Sequence, residues 1–149
     1  MTTYLLDTNI ASHVIKGDIP RVRDRLVALP MHCVAVSVVT QAELLYGVAK
    51  RGHPPGLTAK VREFLARVNV LPWTTEAAEA YGDLRAASEA GGVTLAPMDM
   101  MIAAQAKALA LAAARAQDQA ILVTRDGAFS RMRGPTGLLI EDWTQDVPA

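Results

Sequence analysis

The chain has 149 residues, about one domain with a sizeable core, and its composition of 51% hydrophobic and 20% charged residues excludes a disordered chain. Fifteen basic residues balance fifteen acidic ones, which excludes nucleic-acid capture by bulk positive charge but allows a local basic rim; the basic side is skewed, 11 Arg to 4 Lys. The longest apolar run, Ala108 to Ala114, is far below the roughly 20 residues of a bilayer span, the N-terminus has no basic leader pattern, and Cys33 has no disulfide partner, so a soluble, cytoplasmic protein is expected.

Tyr4-Leu5-Leu6 predicts a strand, stopped by Asp7-Thr8-Asn9, residues that also cap a following helix. A short helix over Ile10–Ile15 closes at Lys16-Gly17, and a second runs from Pro20 to Leu29 before Pro30. Cys33 to Val36 predicts a second strand with a buried thiol, and Ser37 caps a helix from Val38 to about Lys50. After the Pro- and Gly-rich loop at 51–56, a helix over Leu57–Arg67 leads to a short strand, 68–71. Thr75, Glu76 and Glu79 mark a helix start that reaches about Ala90. Pro97 opens an alanine-rich helix to about Gln117, Ala120–Thr124 is a strong strand, and Leu138–Ile140 is a last short one before Trp143. Strands separated by helices predict one α/β domain over residues 1–149, with a mostly parallel sheet of four to five strands covered by helices on both faces.

In such a sheet ligands gather at the carboxyl ends of the strands. Four acids fall there: Asp7 after the first strand, Glu43 two turns into the helix after the second, Asp99 in the first turn of the helix opened by Pro97, and Asp126 after the strand ending at Thr124. Singly, Asp7 reads as a cap, Asp99 as a helix-dipole partner and Asp126-Gly127 as a turn pair. Glu43, among Val39, Ala42, Leu44 and Leu45, is harder to explain that way. Two carboxylates 4 Å apart repel by about 4 kcal/mol at an effective dielectric near 20, so a cluster of them needs a cation or shared protons. All-oxygen ligands without a Cys or His partner suit magnesium or manganese and not zinc. Thr8, Asn9, Ser37 and Thr124 could support the carboxylates or coordinated water without adding charge. His13, His32 and His53 have no spacing relationship with one another or with the acids and read as ordinary surface or core histidines.

Four segments carry a family resemblance: Leu5-Leu6-Asp7-Thr8-Asn9, the run from Ser37 to Gly47 around Glu43, the run from Met98 to Ala104 around Asp99, and Leu122-Val123-Thr124-Arg125-Asp126. In this order, with Phe129 and Trp143 behind them, the chain resembles PIN-domain ribonucleases of the VapC type, the toxin halves of type II toxin–antitoxin pairs. The resemblance implies that Asp7, Glu43, Asp99 and Asp126 hold one or two magnesium ions, for which manganese can substitute, and that a metal-activated water hydrolyses RNA phosphodiester bonds. The fourth place is often asparagine in relatives, and the stretch between Asp99 and Thr124 is longer here than is usual in the family, reading as an extended helix end. Lys50, Arg51, Arg125, Arg131 and Arg133 would surround the acids and hold RNA. The resemblance also implies a homodimer and a cognate antitoxin, with the helix faces Ile10/Val14 and Val39/Leu44/Tyr46 expected to supply such contacts.

Competing chemistries lack their residues. A phosphoaspartate receiver needs an acidic pair after the first strand and a late lysine; Asp7 stands alone and no lysine follows Lys107. A haloacid-type phosphatase needs a second aspartate at position 9, which is asparagine. A non-cutting RNA- or partner-binding regulatory protein of the same fold, or a DNA-directed nuclease of the superfamily, stays as the alternative.

Overall fold

The computed structural model describes residues 1–131 and 137–146. Five strands, β1 (Thr2–Leu6), β2 (Val34–Ser37), β3 (Asn69–Leu71), β4 (Gln119–Val123) and β5 (Ile140–Glu141), form one sheet in the order β3-β2-β1-β4-β5. Every pairing is parallel, with Leu6 beside Val36 on one side and beside Val123 on the other. The chain builds outward from β1 to β3, then returns to lay β4 on the free side of β1. That reversal makes the β1/β4 boundary the switch point of the sheet, where the carboxyl ends open a crevice. Asp7 N–H donates to Val123 O at 3.0 Å, extending the ladder to the edge of that crevice.

Strand alternation explains the two cores. Leu5, Ala35 and Leu122 point to one face and pack under α5 (Thr75–Ala90) and α6 (Pro97–Arg115). Leu6, Val34, Val36 and Val123 point to the other, under α1 (Thr8–Lys16), α2 (Pro20–Val27), α3 (Val38–Lys50) and α4 (Pro55–Arg67). Alanines 103, 104 and 106 are buried, so α6 lies close against the sheet. Trp143 closes the second core: it is fully buried, its ring lies 5.7 Å from that of Tyr4, and its Nε1 donates to Glu141 Oε1, which also accepts from Arg25 Nη2 at 2.5 Å.

Several expectations shift. A single 3₁₀ turn over Met31–Cys33 precedes β2, so Cys33 lies before the strand, although its thiol is buried as expected. The cap of α5 is Thr74, whose Oγ1 accepts from Ala77 N, and not Thr75. The last strand pairs at Ile140–Glu141 and not from Leu138. A short helix, α7 (Gly127–Arg131), follows Asp126, where a turn pair is expected. The helix α6 ends near Ala116 and turns through Gln117 at φ +60°, a left-handed position usually taken by glycine. The expected interface faces are largely interior: Ile10, Val39 and Leu44 are buried, because α1 and α3 turn those residues toward the sheet. Val14 is half-buried against the second core, and Tyr46 alone of that set is well exposed. No helix among the described residues is long and apolar enough to cross a membrane.

Candidate active site

Asp7 follows β1 as the N-cap of α1, its Oδ1 accepting from Ile10 N–H at 2.8 Å. It is only 3% exposed. Burial without a cation partner pushes its carboxyl up to about 6, against the opposing hydrogen bonds of Thr124 and Ile10; Asp99 and Asp126 push it further the same way. Thr124 binds the carboxylate of Asp7 through its side chain, and its Oγ1 accepts from Asp126 N–H at 3.1 Å. One buried hydroxyl thereby couples the ends of β1 and β4.

Asp99 occupies the first turn of α6, whose N-cap, Ala96, offers no side-chain acceptor. Its carboxyl is raised by burial first, then by the charges of Glu43 and Asp126. Asp126 stands at the start of α7, its Oδ1 accepting from Ala128 N–H at 2.9 Å, and it is solvent-exposed. Asp7, Asp99 and Asp126 line one cleft of about 490 Å³ together with Asn9, His13, Arg125 and Phe129.

Glu43 lies to the side of that cleft. Its Oε1 accepts from Thr8 Oγ1 at 2.7 Å, and Thr8 is also 3.0 Å from the Thr40 hydroxyl. With Thr8, Lys16 and Arg51 it lines an adjoining pocket, yet its charge reaches Asp99. Among the described residues no three Asp, Glu, His or Cys side chains converge as a ready-made metal cage. The acids ring the crevice without closing on one point, as repulsion between carboxylates of like charge favours. The donor chemistry nevertheless fits a hard divalent cation: carboxylate and amide oxygens, one of them on a buried Asp with no cationic partner among the described residues.

The other expected residues divide. Asn9 reaches the cleft, Thr8 holds Glu43, and Thr124 holds Asp7. Ser37 does not line the cleft; it is fully buried and caps α3 by accepting from Val39 N–H. Of the basic residues, Arg125 lines the cleft and Arg51 the Glu43 pocket, whereas Lys50 rests its ammonium over the Tyr46 ring and Arg131 is exposed on α7. Arg133 lies outside the described residues. His13, read from sequence as an ordinary surface or core histidine, lines the cleft, and Thr40, to which the sequence assigned no role, meets Thr8. His13 is four residues after Asn9 on α1, and Thr40 three before Glu43 on α3, so helical spacing held the signal in both cases.

A crevice of acids at the switch point of a parallel sheet, reached from chain positions 7, 43, 99 and 126, now stands beside a family model, PIN domain, that matches residues 4–135. The chain belongs to the PIN-domain family. This PIN domain is 34% identical over 145 residues to the tRNA(fMet)-specific endonuclease VapC of Shigella flexneri, covering 97% of this chain and 100% of that one. Its fold is similar to the DNA-bound VapBC structure from Salmonella typhimurium, with a TM-score of 0.80, 32% identity, and coverage of 96% of this chain and 99% of that one. The VapBC2 structure from Rickettsia felis, bound to a promoter DNA fragment, is similar with a TM-score of 0.80, 29% identity, and coverage of 96% and 99%. Relatives matched over nearly their whole length are nucleases, and this PIN domain is placed with the VapC-type enzymes.

Proposed function

We propose that this protein is a divalent-metal-dependent endoribonuclease, the toxin of a type II toxin–antitoxin pair, and that its substrate is a transfer RNA. The observation that carries the reading is the shared cleft of Asp7, Asp99 and Asp126 at the β1/β4 switch point, with Glu43 alongside. The near-complete match to a tRNA(fMet)-specific endonuclease supports the substrate class.

Asp7, Asp99, Asp126 and Glu43 would hold magnesium, with manganese as a substitute. When bound, such an ion supplies Lewis acidity, making a water more acidic and offsetting charge that develops on the phosphoryl group. The chain's own residues set the stage for it. The α1 amide of Ile10 holds the Asp7 carboxylate at the cleft, with Thr124 favouring its charged form. Thr8 restrains Glu43, and Asn9 lines the cleft beside Asp7. Arg125 offers a forked donor to a backbone phosphate, with Arg51, Lys50 and Arg131 as outlying contacts for the rest of the RNA.

The partner is a cognate antitoxin, in line with the VapBC complexes that this fold resembles. The proposed docking surface is the apolar groove of α1, α2 and α4, lined by Val14, Ile15, Leu26, Leu29 and Phe64, with Val27 71% exposed on its rim. A homodimer is proposed as the free state, checked by the solution mass at micromolar concentration. Activity is tested by incubating partner-free protein with purified transfer RNA, with magnesium or with chelator, beside an Asp99→Asn control. Discrete fragments only with active protein and magnesium are expected; fragments that persist in chelator or in the control overturn the reading.

A further inference from the structure

Among the described residues that line the acidic cleft, Arg125 is the one cationic side chain with a fixed charge, and that charge does not rest on the acids. Among the described residues Arg125 forms no ion pair with Asp7, Glu43, Asp99 or Asp126. Its Nη1 donates instead to Nε2 of His13 at 3.3 Å. The other ring nitrogen of His13, Nδ1, lies 2.9 Å from Asp18 Oδ1. A guanidinium can only donate and a carboxylate can only accept, so the neutral tautomer that satisfies both neighbours carries its proton on Nδ1.

Local structure holds this chain of contacts in place. His13 sits in the last turns of α1 with its side chain 16% exposed. Gly17, at φ +66°, ends the helix by donating to His13 O at 2.9 Å, and the left-handed turn brings Asp18 back beside the imidazole. Arg125 arrives from the loop after β4, 112 residues away in the chain. Without the imidazole, a flexible guanidinium beside Asp126 would be drawn onto the carboxylates, where it would compete with a divalent cation and lose its donors. Tethered to His13, it spends one of five N–H donors and keeps four.

We propose that Asp18 and His13 are a positioning pair for Arg125: they hold its guanidinium on the cleft wall, clear of the acids, so that its remaining donors grip a backbone phosphate of the RNA. The proposal rests on the ribonuclease reading above and adds to it a residue pair that acts through Arg125.

The test measures binding of fluorescein-labelled bulk transfer RNA by anisotropy in chelator, across a salt series, with every variant made in an Asp99→Asn background. Arg125→Ala is expected to weaken binding about tenfold, the scale of one charge-assisted contact, and to lower the slope of log affinity against log salt by about 0.7–0.9. His13→Phe reproduces most of that loss but adds little to Arg125→Ala, because it acts through the arginine. His13→Gln, whose amide can donate to Asp18 and accept from Arg125, restores most of the affinity. In the cleaving protein the same changes raise KM and leave kcat nearly unchanged. Thermal unfolding checks that each variant is folded. Full affinity in folded His13→Phe, or losses that multiply in the double variant, overturns the positioning role. If Arg125→Ala binds and cleaves like its parent, the phosphate contact falls and the ribonuclease reading stands. If the parent neither binds nor cuts transfer RNA, both fall.

Discussion

Asp7 carries a buried carboxyl whose charged form burial disfavours. Its folded carboxyl titrates near 6, above the ordinary 3.8. Below about pH 4 it is protonated in both folded and unfolded chains and costs nothing; as pH rises from 4 to 6 only the unfolded chain ionises freely, so the folded state loses stability, by about 3 kcal/mol once pH exceeds 6. Asp7→Asn keeps an oxygen for the Ile10 amide and removes the buried charge. It is therefore expected to raise the stability of the metal-free protein by about 1–3 kcal/mol at pH 8 and to match the parent near pH 4, read from urea unfolding at both pH values. Equal or lower stability at pH 8 would mean that the carboxylate serves the fold. Magnesium should stabilise the parent and have little effect on Asp7→Asn, since a ligand that binds only the folded state stabilises it by mass action. Asp99→Asn should likewise abolish cleavage with the fold retained, as removing one of several repelling carboxylates does not harm the metal-free state; a variant with lost near-ultraviolet circular dichroism would place Asp99 among the structural residues.

At the scale of elements, the strands and long helices were legible because period and punctuation agreed: Ser37 caps α3, Pro97 opens α6, and Gly17 closes α1, each where its chemistry suggested. Failures came where those signals were local or ambiguous. The helix α7 is only five residues long, too short to show a period, and Asp126-Gly127 ahead of it reads equally as a turn. Ile10, Val39 and Leu44, expected to supply partner contacts, are buried, because an apolar helix face does not tell whether a sheet or a partner covers it. The turn after α6 yields a prediction of its own. Gln117 adopts φ +60° without glycine's freedom, so Gln117→Gly should stabilise the protein by about 0.5–1 kcal/mol in urea unfolding. At the other end, Trp143 fills the second core and shares Glu141 with Arg25. Trp143→Ala is expected to cost about 3–5 kcal/mol, a loss that a downward shift in the urea midpoint would register; an unchanged midpoint would mean that the closing turn is dispensable.

For the whole molecule, topology is what brings three dispersed acids, Asp7, Asp99 and Asp126, to one cleft, with Glu43 alongside. The chain reverses at β1, so residues following β1 and β4 meet, α6 delivers Asp99 to the same edge, and α3 brings Glu43 alongside. The acids themselves were legible as strand-end residues, but their arrangement was not: Glu43 turns toward Thr8, and His13 joins the cleft through Arg125, a contact between residues 112 apart in the chain that no local pattern records. A balanced net charge also makes sense here, since a cleft rich in carboxylates would repel RNA unless a cation and positioned arginines offset it. The most direct test of the central claim is to incubate the partner-free protein with total cellular RNA and sequence the new 5′ ends, with magnesium, with chelator, and with Asp99→Asn. Cuts confined to one or a few transfer RNAs, present with magnesium and absent from both controls, are expected. A folded, partner-free protein that yields no ends above the Asp99→Asn background would contradict the assignment and point to a non-cutting binder or a DNA substrate.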